Sequence, residues 1–234
     1  HLWLLVQPTK FNVIVHPGIT FNQLRFFFGT DAKLNDTEFV SEIEKNPVLF
    51  LRDNGSHKPA HHIVRGGLQI HLDTVGKHTE HIVGLRARNN PEPIDLRSTL
   101  RYKSEEYFEP VTAINEEMLI KQNEYFLLSS KELLTIPPHF SADVEKHSTI
   151  GISGSLHDAG FIDNGFMGDL VFEVRTEELT TMTIKDNMPI SKLHLYRTRQ
   201  NPDKIYSADI GSSYQHQIGP RISNNFVSFD FNYA

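Results

Sequence analysis

From residue 62 onward, apolar segments are short before a glycine, proline, asparagine or aspartate interrupts them. HIVRGGLQIHLDT, HIVGLRAR, EYFLLSS, LLTIPP, LVFEVRT, TMTIKDNMPISKLHLY and NFVSFDF all follow this pattern. Segments of that length, rich in β-branched and aromatic residues, read as strands joined by turns. Many short strands with little helix imply an all-β sandwich, jelly roll or barrel. At 234 residues and 38% hydrophobic, the chain can bury one large core or two small ones.

The front of the chain is less regular. Residues 2–30 read as strands, with Phe11, Val13 and Val15 alternating with Asn12, Ile14 and His16 before a Pro17-Gly18 turn. Residues 36–46 read as one helix, capped by Asp36 or Thr37, with Phe39, Val40 and Ile43 on its apolar side. Residues 52–61 read as an exposed connector, and residues 115–123 as a helical turn. A weak internal repeat aligns residues 13–24 with residues 182–193, at a constant offset of 169. It is read as two copies of one β-domain, the first represented by its last strands. The same likeness also arises between any two strand–turn–strand units.

Composition removes several classes. The chain has no cysteine. That excludes disulfide scaffolds, thiol catalysis and thiolate metal sites, including the H-x-E…P-C-x-x-C set of zinc nucleobase deaminases. A net charge of −6 argues against non-specific binding to nucleic acid or anionic membranes. No apolar run approaches the roughly 18 residues of a membrane span, and no leader sequence is visible, so a cytoplasmic location is expected. The start at His1-Leu2-Trp3 is read as that of a fragment whose front part is missing. His61-His62 and His78-x-x-His81 lack a third ligand at useful spacing and read as surface histidines, so no protein metal site is expected. No G-x-x-x-x-G-K-[ST] phosphate loop is present.

The segment richest in chemistry is residues 159–174. Asp163-Asn164-Gly165 is a hairpin turn between two apolar runs. Beyond it, Leu170, Phe172 and Val174 fall on one strand face, and Val171, Glu173 and Arg175 on the other. Glu173 is therefore a carboxylate within an apolar strand. Burial there raises a carboxyl into the range useful for general acid–base work. The same residue also reads as a surface glutamate beside Arg175.

The pattern G-F-I-D-x-G-F-x-G-x-L-x-x-E at 160–173 resembles the signature hairpin of the dCTP deaminase family, in the trimeric dUTPase-like superfamily. Further matches follow in order. LQIHLD at 68–73 is similar to the family's early S-x-D-L strand, and FLLSSKELLTIP at 126–137 to the strand before its central helix. KHST at 146–149 takes the place of the G-R-S-S motif. Tyr206, Tyr214 with Gln217, and Gly219-Pro220-x-x-Ser223 resemble its C-terminal segment. The resemblance implies a distorted β-barrel or jelly-roll domain over residues 62–234. It makes residues 31–61 a helical connector, and residues 1–30 the last strands of a preceding similar domain, as in longer members. In that first copy the position matching Glu173 falls at Leu4 or Leu5, which cannot move a proton.

The resemblance implies hydrolytic deamination of dCTP to dUTP and ammonia, without zinc, in pyrimidine deoxynucleotide supply, with Glu173 as proton shuttle. It gives Asp163 the deoxyribose 3′-hydroxyl, Phe166 the sugar or base, and Ala159 backbone contacts near the base amine. It gives Ser148, Tyr206 and Gln217 the triphosphate, with Tyr214 beside them in the substrate site and Mg²⁺ held mainly by the phosphates. It implies a homotrimer with the site between subunits. Two family cations are missing, because Ile152 and Ser213 stand where an arginine and a lysine are common. Each charge-assisted phosphate contact is worth roughly 1.5–3 kcal/mol. Lys146, His147, Arg65 or a neighbouring subunit could replace them. The C-terminal sequence is of the deaminase type and lacks the Arg- and Gly-rich end of a dUTP pyrophosphatase. A pyrophosphatase, a bifunctional enzyme and a catalytically degenerate nucleotide-binding or assembly domain are the alternatives.

Overall fold

A computed structural model of the chain describes residues 3–21, 24–27, 32–53, 55–90, 92–147, 160–175 and 181–229. In chain order the elements are β1 (Val13–Ile14), α1 (Asp36–Lys45), β2 (Leu49–Asp53), β3 (Ser56–Pro59), β4 (Leu68–His71), β5 (Gly84–Ala87), β6 (Ile94–Asp95) and β7 (Tyr102–Lys103). They continue with α2 (Ser104–Tyr107), β8 (Phe108–Val111), β9 (Glu117–Ile120), β10 (Tyr125–Thr135), β11 (Phe140–Lys146), β12 (Phe161–Ile162), β13 (Met167–Arg175), β14 (Met182–Lys185), β15 (Pro189–Arg197) and β16 (Phe226–Val227). The expected all-β class is the one observed.

The long strand β10 organises the larger sheet, ordered β3-β2-β10-β5-β8, and β13 pairs antiparallel along it. A second sheet runs β12-β11-β15-β4. Between the sheets lies the main core, which includes Leu68, Ile70, Leu128, Phe140, Phe172, Val174 and Leu193. A buried pair ties the sheets together: His71 of β4 meets Glu132 of β10, Nδ1 to Oε1 at 2.6 Å. A smaller cluster under the other end of β10 contains Leu85, Tyr107, Phe108, Leu127, Ile222 and Phe226.

Several local expectations change. Of residues 2–30, only Val13–Ile14 forms a strand among the described residues, and it pairs in parallel with Ile94–Asp95. The repeat's two turns share a left-handed residue, Gly18 at φ 90° and Asn187 at φ 61°. Their flanking strands differ, since β14 pairs with β9, and β15 with β11 and β4.

Neither Asp36 nor Thr37 caps α1. Asn35 does, accepting the Glu38 N–H at 3.0 Å while Glu38 returns the bond to the Asn35 N–H at 3.0 Å. Asp36 instead accepts the N–H groups of Gly66 and Gly67. The stretch 31–61 is more than a connector. Leu34, Phe39, Ile43, Val48 and Leu49 are buried in the main core, and the β2–β3 hairpin extends the larger sheet. Residues 117–120 form a strand and no helical turn, because Met118 and Ile120 are buried while Glu117 and Leu119 face water. Among the described residues, no helix is long and apolar enough to cross a membrane.

Candidate active site

A cavity of about 670 Å³ opens where the two apolar clusters meet, a size suited to a small organic ligand. Its floor comes from β13 and the turn before it. Alternation along β13 buries Leu170, Phe172 and Val174 and leaves Glu173 exposed at the cavity wall, opposite Leu127 of β10. The turn is tight. Gly165 has φ 84°, and a Cβ there would lie 2.8 Å from Ile205 Cβ. Asp163 closes the turn through its carbonyl, which accepts the Phe166 N–H at 3.2 Å, and its side chain lines the cavity. Burial raises the Asp163 carboxyl above its ordinary range, against the pull of Arg25.

The opposite wall is an irregular segment that lies beside β13 almost as an added strand. Gln215 Nε2 donates to the Gly165 carbonyl at 3.1 Å, and the His216 N–H to Met167 O at 2.6 Å. The Asp169 N–H donates to Gln217 O at 3.0 Å, and Gln217 Nε2 returns a bond to Asp169 O at 2.5 Å. Asp169 itself is 3% exposed. Its Oδ1 accepts from Arg52 Nη1 at 2.5 Å and its Oδ2 from the Gly219 N–H at 2.8 Å. One residue of β13 thus fixes both Gln217 and Gly219. Gly168 allows this closeness, since a Cβ there would sit 3.1 Å from the Gln217 nitrogen. Tyr206 and Tyr214 meet in the cavity, the Tyr214 N–H donating to the Tyr206 hydroxyl oxygen at 3.0 Å. Burial raises the phenols of both. Phe166 is 6% exposed, its ring centre 5.7 Å from that of Tyr206.

Comparison with known proteins bears on this arrangement. Residues 40–226 match the family model described as 2′-deoxycytidine 5′-triphosphate deaminase (DCD), C-terminal domain. The chain belongs to this family. A Mycolicibacterium smegmatis protein named dCTP deaminase, dUMP-forming, is 34% identical over 120 residues, which are 50% of this chain and 64% of that protein. A Natronomonas pharaonis dCTP deaminase is 30% identical over 133 residues, 56% of this chain and 66% of that protein. The chain therefore spans somewhat less than two thirds of these relatives. A crystal structure of 2′-deoxycytidine 5′-triphosphate deaminase from Agrobacterium tumefaciens shares the fold, with a TM-score of 0.62 at 19% identity, over 73% of this chain and 49% of that one.

Of the residues that the dCTP deaminase resemblance singled out, Asp163, Phe166, Glu173, Tyr206, Tyr214 and Gln217 line the one cavity. Of the two readings of Glu173, a buried carboxylate and a surface glutamate, the structure has the exposed one, because β13 turns that face to the cavity and water and away from the core. Gln217 is 5% exposed, with its amide nitrogen held by Asp169 and its Oε1 without a hydrogen-bond partner among the described residues. Lys146 ends β11, partly buried, and is not among the residues lining the cavity. Ser148, Ala159 and Ile152 lie outside the described residues. The sequence reading passed over Asp169, Arg52 and Arg221. Asp169 could have been noticed as an acidic residue flanked by apolar ones within the hairpin motif. Among the described residues, no three His, Asp or Glu side chains are grouped to hold a metal ion.

Proposed function

We propose that this chain is a deaminase domain that converts dCTP and water to dUTP and ammonia. The observation that carries this reading is the convergence of Asp163, Glu173, Tyr206 and Tyr214 on one cavity in a domain of the dCTP deaminase family. Glu173 takes a proton from the water that attacks C4 of the cytosine ring. It then supplies protons to the ring nitrogen and to the amine, which departs as ammonia. Asp163 accepts from the 3′-hydroxyl of the sugar, and Phe166 packs against the sugar or base. The backbone at Ala159 faces the base amine. Ser148, Tyr206, Tyr214 and Gln217 serve the phosphates, while Lys146, outside the cavity lining, is given no contact with them.

A Mg²⁺ ion enters on the phosphates, as suits an ion that keeps few protein ligands. The absence of cysteine from the sequence supports a mechanism without a thiolate zinc site. The same reading makes the working unit a cytoplasmic homotrimer engaged in pyrimidine deoxynucleotide supply, and residues 1–30 the end of a preceding domain.

The test is ammonia release and product chromatography with dCTP, dCMP, CTP and dUTP, each with Mg²⁺. The expected result is ammonia and dUTP from dCTP alone. Appearance of dUMP would instead place the chain with the dUMP-forming type named among its relatives. Nucleotide binding without ammonia would overturn the enzymatic reading and leave a retired nucleotide-binding domain.

A further inference from the structure

We infer that Arg221 supplies the positive charge that holds the substrate's phosphates in this cavity. The inference rests on the nucleotide reading of the site and deepens it. Among the described residues, the cavity lining holds two cations, Lys10 and Arg221, against the carboxylates Asp163 and Glu173. A polyphosphate entering such a cavity is repelled by the carboxylates and must find a cation. Lys10 is already engaged, its ammonium donating to Asn89 Oδ1 at 3.0 Å. Arg221 is exposed and makes no hydrogen bond or ion pair among the described residues. Its guanidinium can therefore present paired N–H groups to phosphate oxygens without first breaking another contact.

The backbone beneath Arg221 is fixed although its head is free. Two residues earlier, the Gly219 N–H is bound by buried Asp169, which is in turn paired with Arg52. An anchored backbone with an unpaired head lowers the ordering cost of binding. Arg221 lines the same cavity as Tyr206 and Tyr214, and its charge opposes the upward push that burial exerts on their phenols. The sequence supplies the need for such a cation. Positions 152 and 213 are isoleucine and serine, so neither can neutralise phosphate. Arg65, weighed from the sequence as a substitute, is not among the residues lining the cavity.

The test is calorimetric titration of the whole chain, Arg221→Ala and Arg221→Lys with dCTP, dCMP and deoxycytidine. Arg221→Ala should weaken dCTP binding by about 10- to 100-fold and leave deoxycytidine binding unchanged. Arg221→Lys should recover part of the loss. A raised salt concentration should narrow the gap between the unaltered chain and Arg221→Ala. Arg221 is exposed, so circular dichroism and thermal melts of the variants should overlay the unaltered chain. Equal losses for dCTP and deoxycytidine would overturn the inference, as would dCTP binding that is indifferent to Arg221 while still exceeding deoxycytidine binding. Failure of the unaltered chain to bind any of the three would sink the nucleotide reading itself, and this inference with it.

Discussion

Glu173 stands between two buried neighbours, Phe172 and Val174, yet is itself exposed to the cavity. Exposure makes it replaceable without harm to the fold, since surface substitutions usually fall within about ±0.5 kcal/mol. Glu173→Gln keeps the shape of the side chain and removes its capacity to carry a proton. Ammonia release from dCTP should fall about 10²- to 10⁴-fold in kcat, with KM and the melting temperature little changed. Steady-state kinetics beside a thermal melt check this. A variant that keeps its kcat would take the proton role from Glu173. The identity of this residue was legible because strand periodicity separates it from Leu170, Phe172 and Val174. Whether that face is buried or open to a cavity was left undecided. Periodicity says which residues share a face, but not what lies across from that face. Here the far wall of the cavity comes from Tyr206, Tyr214 and Arg221, brought in by no local rule.

At the scale of elements, the hairpin leading into β13 and the segment packed along it behave as one unit joined at Asp169. The hairpin was legible from Asp163-Asn164-Gly165. The joint was not, because Arg52 is 117 positions from Asp169 and nothing nearby in sequence marks the pairing. The turn can be tested by Gly165→Ala. The φ of 84° and the 2.8 Å approach to Ile205 both oppose a side chain there. A loss of roughly 1–3 kcal/mol is expected in urea melts, and an unchanged midpoint would show that the turn relaxes freely.

The joint can be tested by pH. Burial holds the Asp169 carboxyl at about 6, above its ordinary 3.8, against the attraction of Arg52 and with a small further push from Asp73. Below 3.8 the group is protonated in folded and unfolded chains alike. Between 3.8 and about 6 the folded chain retains a proton that the unfolded chain releases, so stability declines as pH rises, and the loss is complete above about 6. A displacement of that size is worth about 3 kcal/mol. Asp169→Asn cannot titrate. Urea melts in steps from pH 4 to 7.5 should show the unaltered chain losing about 2.4 kcal/mol relative to this variant, the rest of the change lying below pH 4. Parallel profiles would show that Asp169 is solvated as an ordinary carboxylate.

For the whole molecule, the cavity depends on parts of the chain remote from one another. Phe11 sets its ring edge-on to Tyr107 and Phe108, each at 5.3 Å, while Phe226 meets the same two rings at 5.1 and 5.5 Å. Early and late residues thus close on the middle of the chain and wall the cavity together. The fold class was legible because turn signals recur along the sequence. This closure was not, since the pairings of β1 with β6 and of β16 with β7 join strands of two residues each, too short to leave a periodic signature. Phe226 tests the dependence. It is 5% exposed, and Phe226→Ala should cost about 3–5 kcal/mol, lowering the melting temperature by roughly 10 °C for a chain of this size. For the unaltered chain, dCTP at about 100 times its Kd should add about 2.7 kcal/mol of stability, a rise of roughly 5–10 °C. The variant at the same dCTP concentration should show a smaller rise if this wall meets the nucleotide as proposed, because it is damaged along with the fold. Melts with and without dCTP separate the two effects. A lowered melting temperature with an undiminished nucleotide shift would mean that the aromatic wall supports the domain but does not touch the ligand.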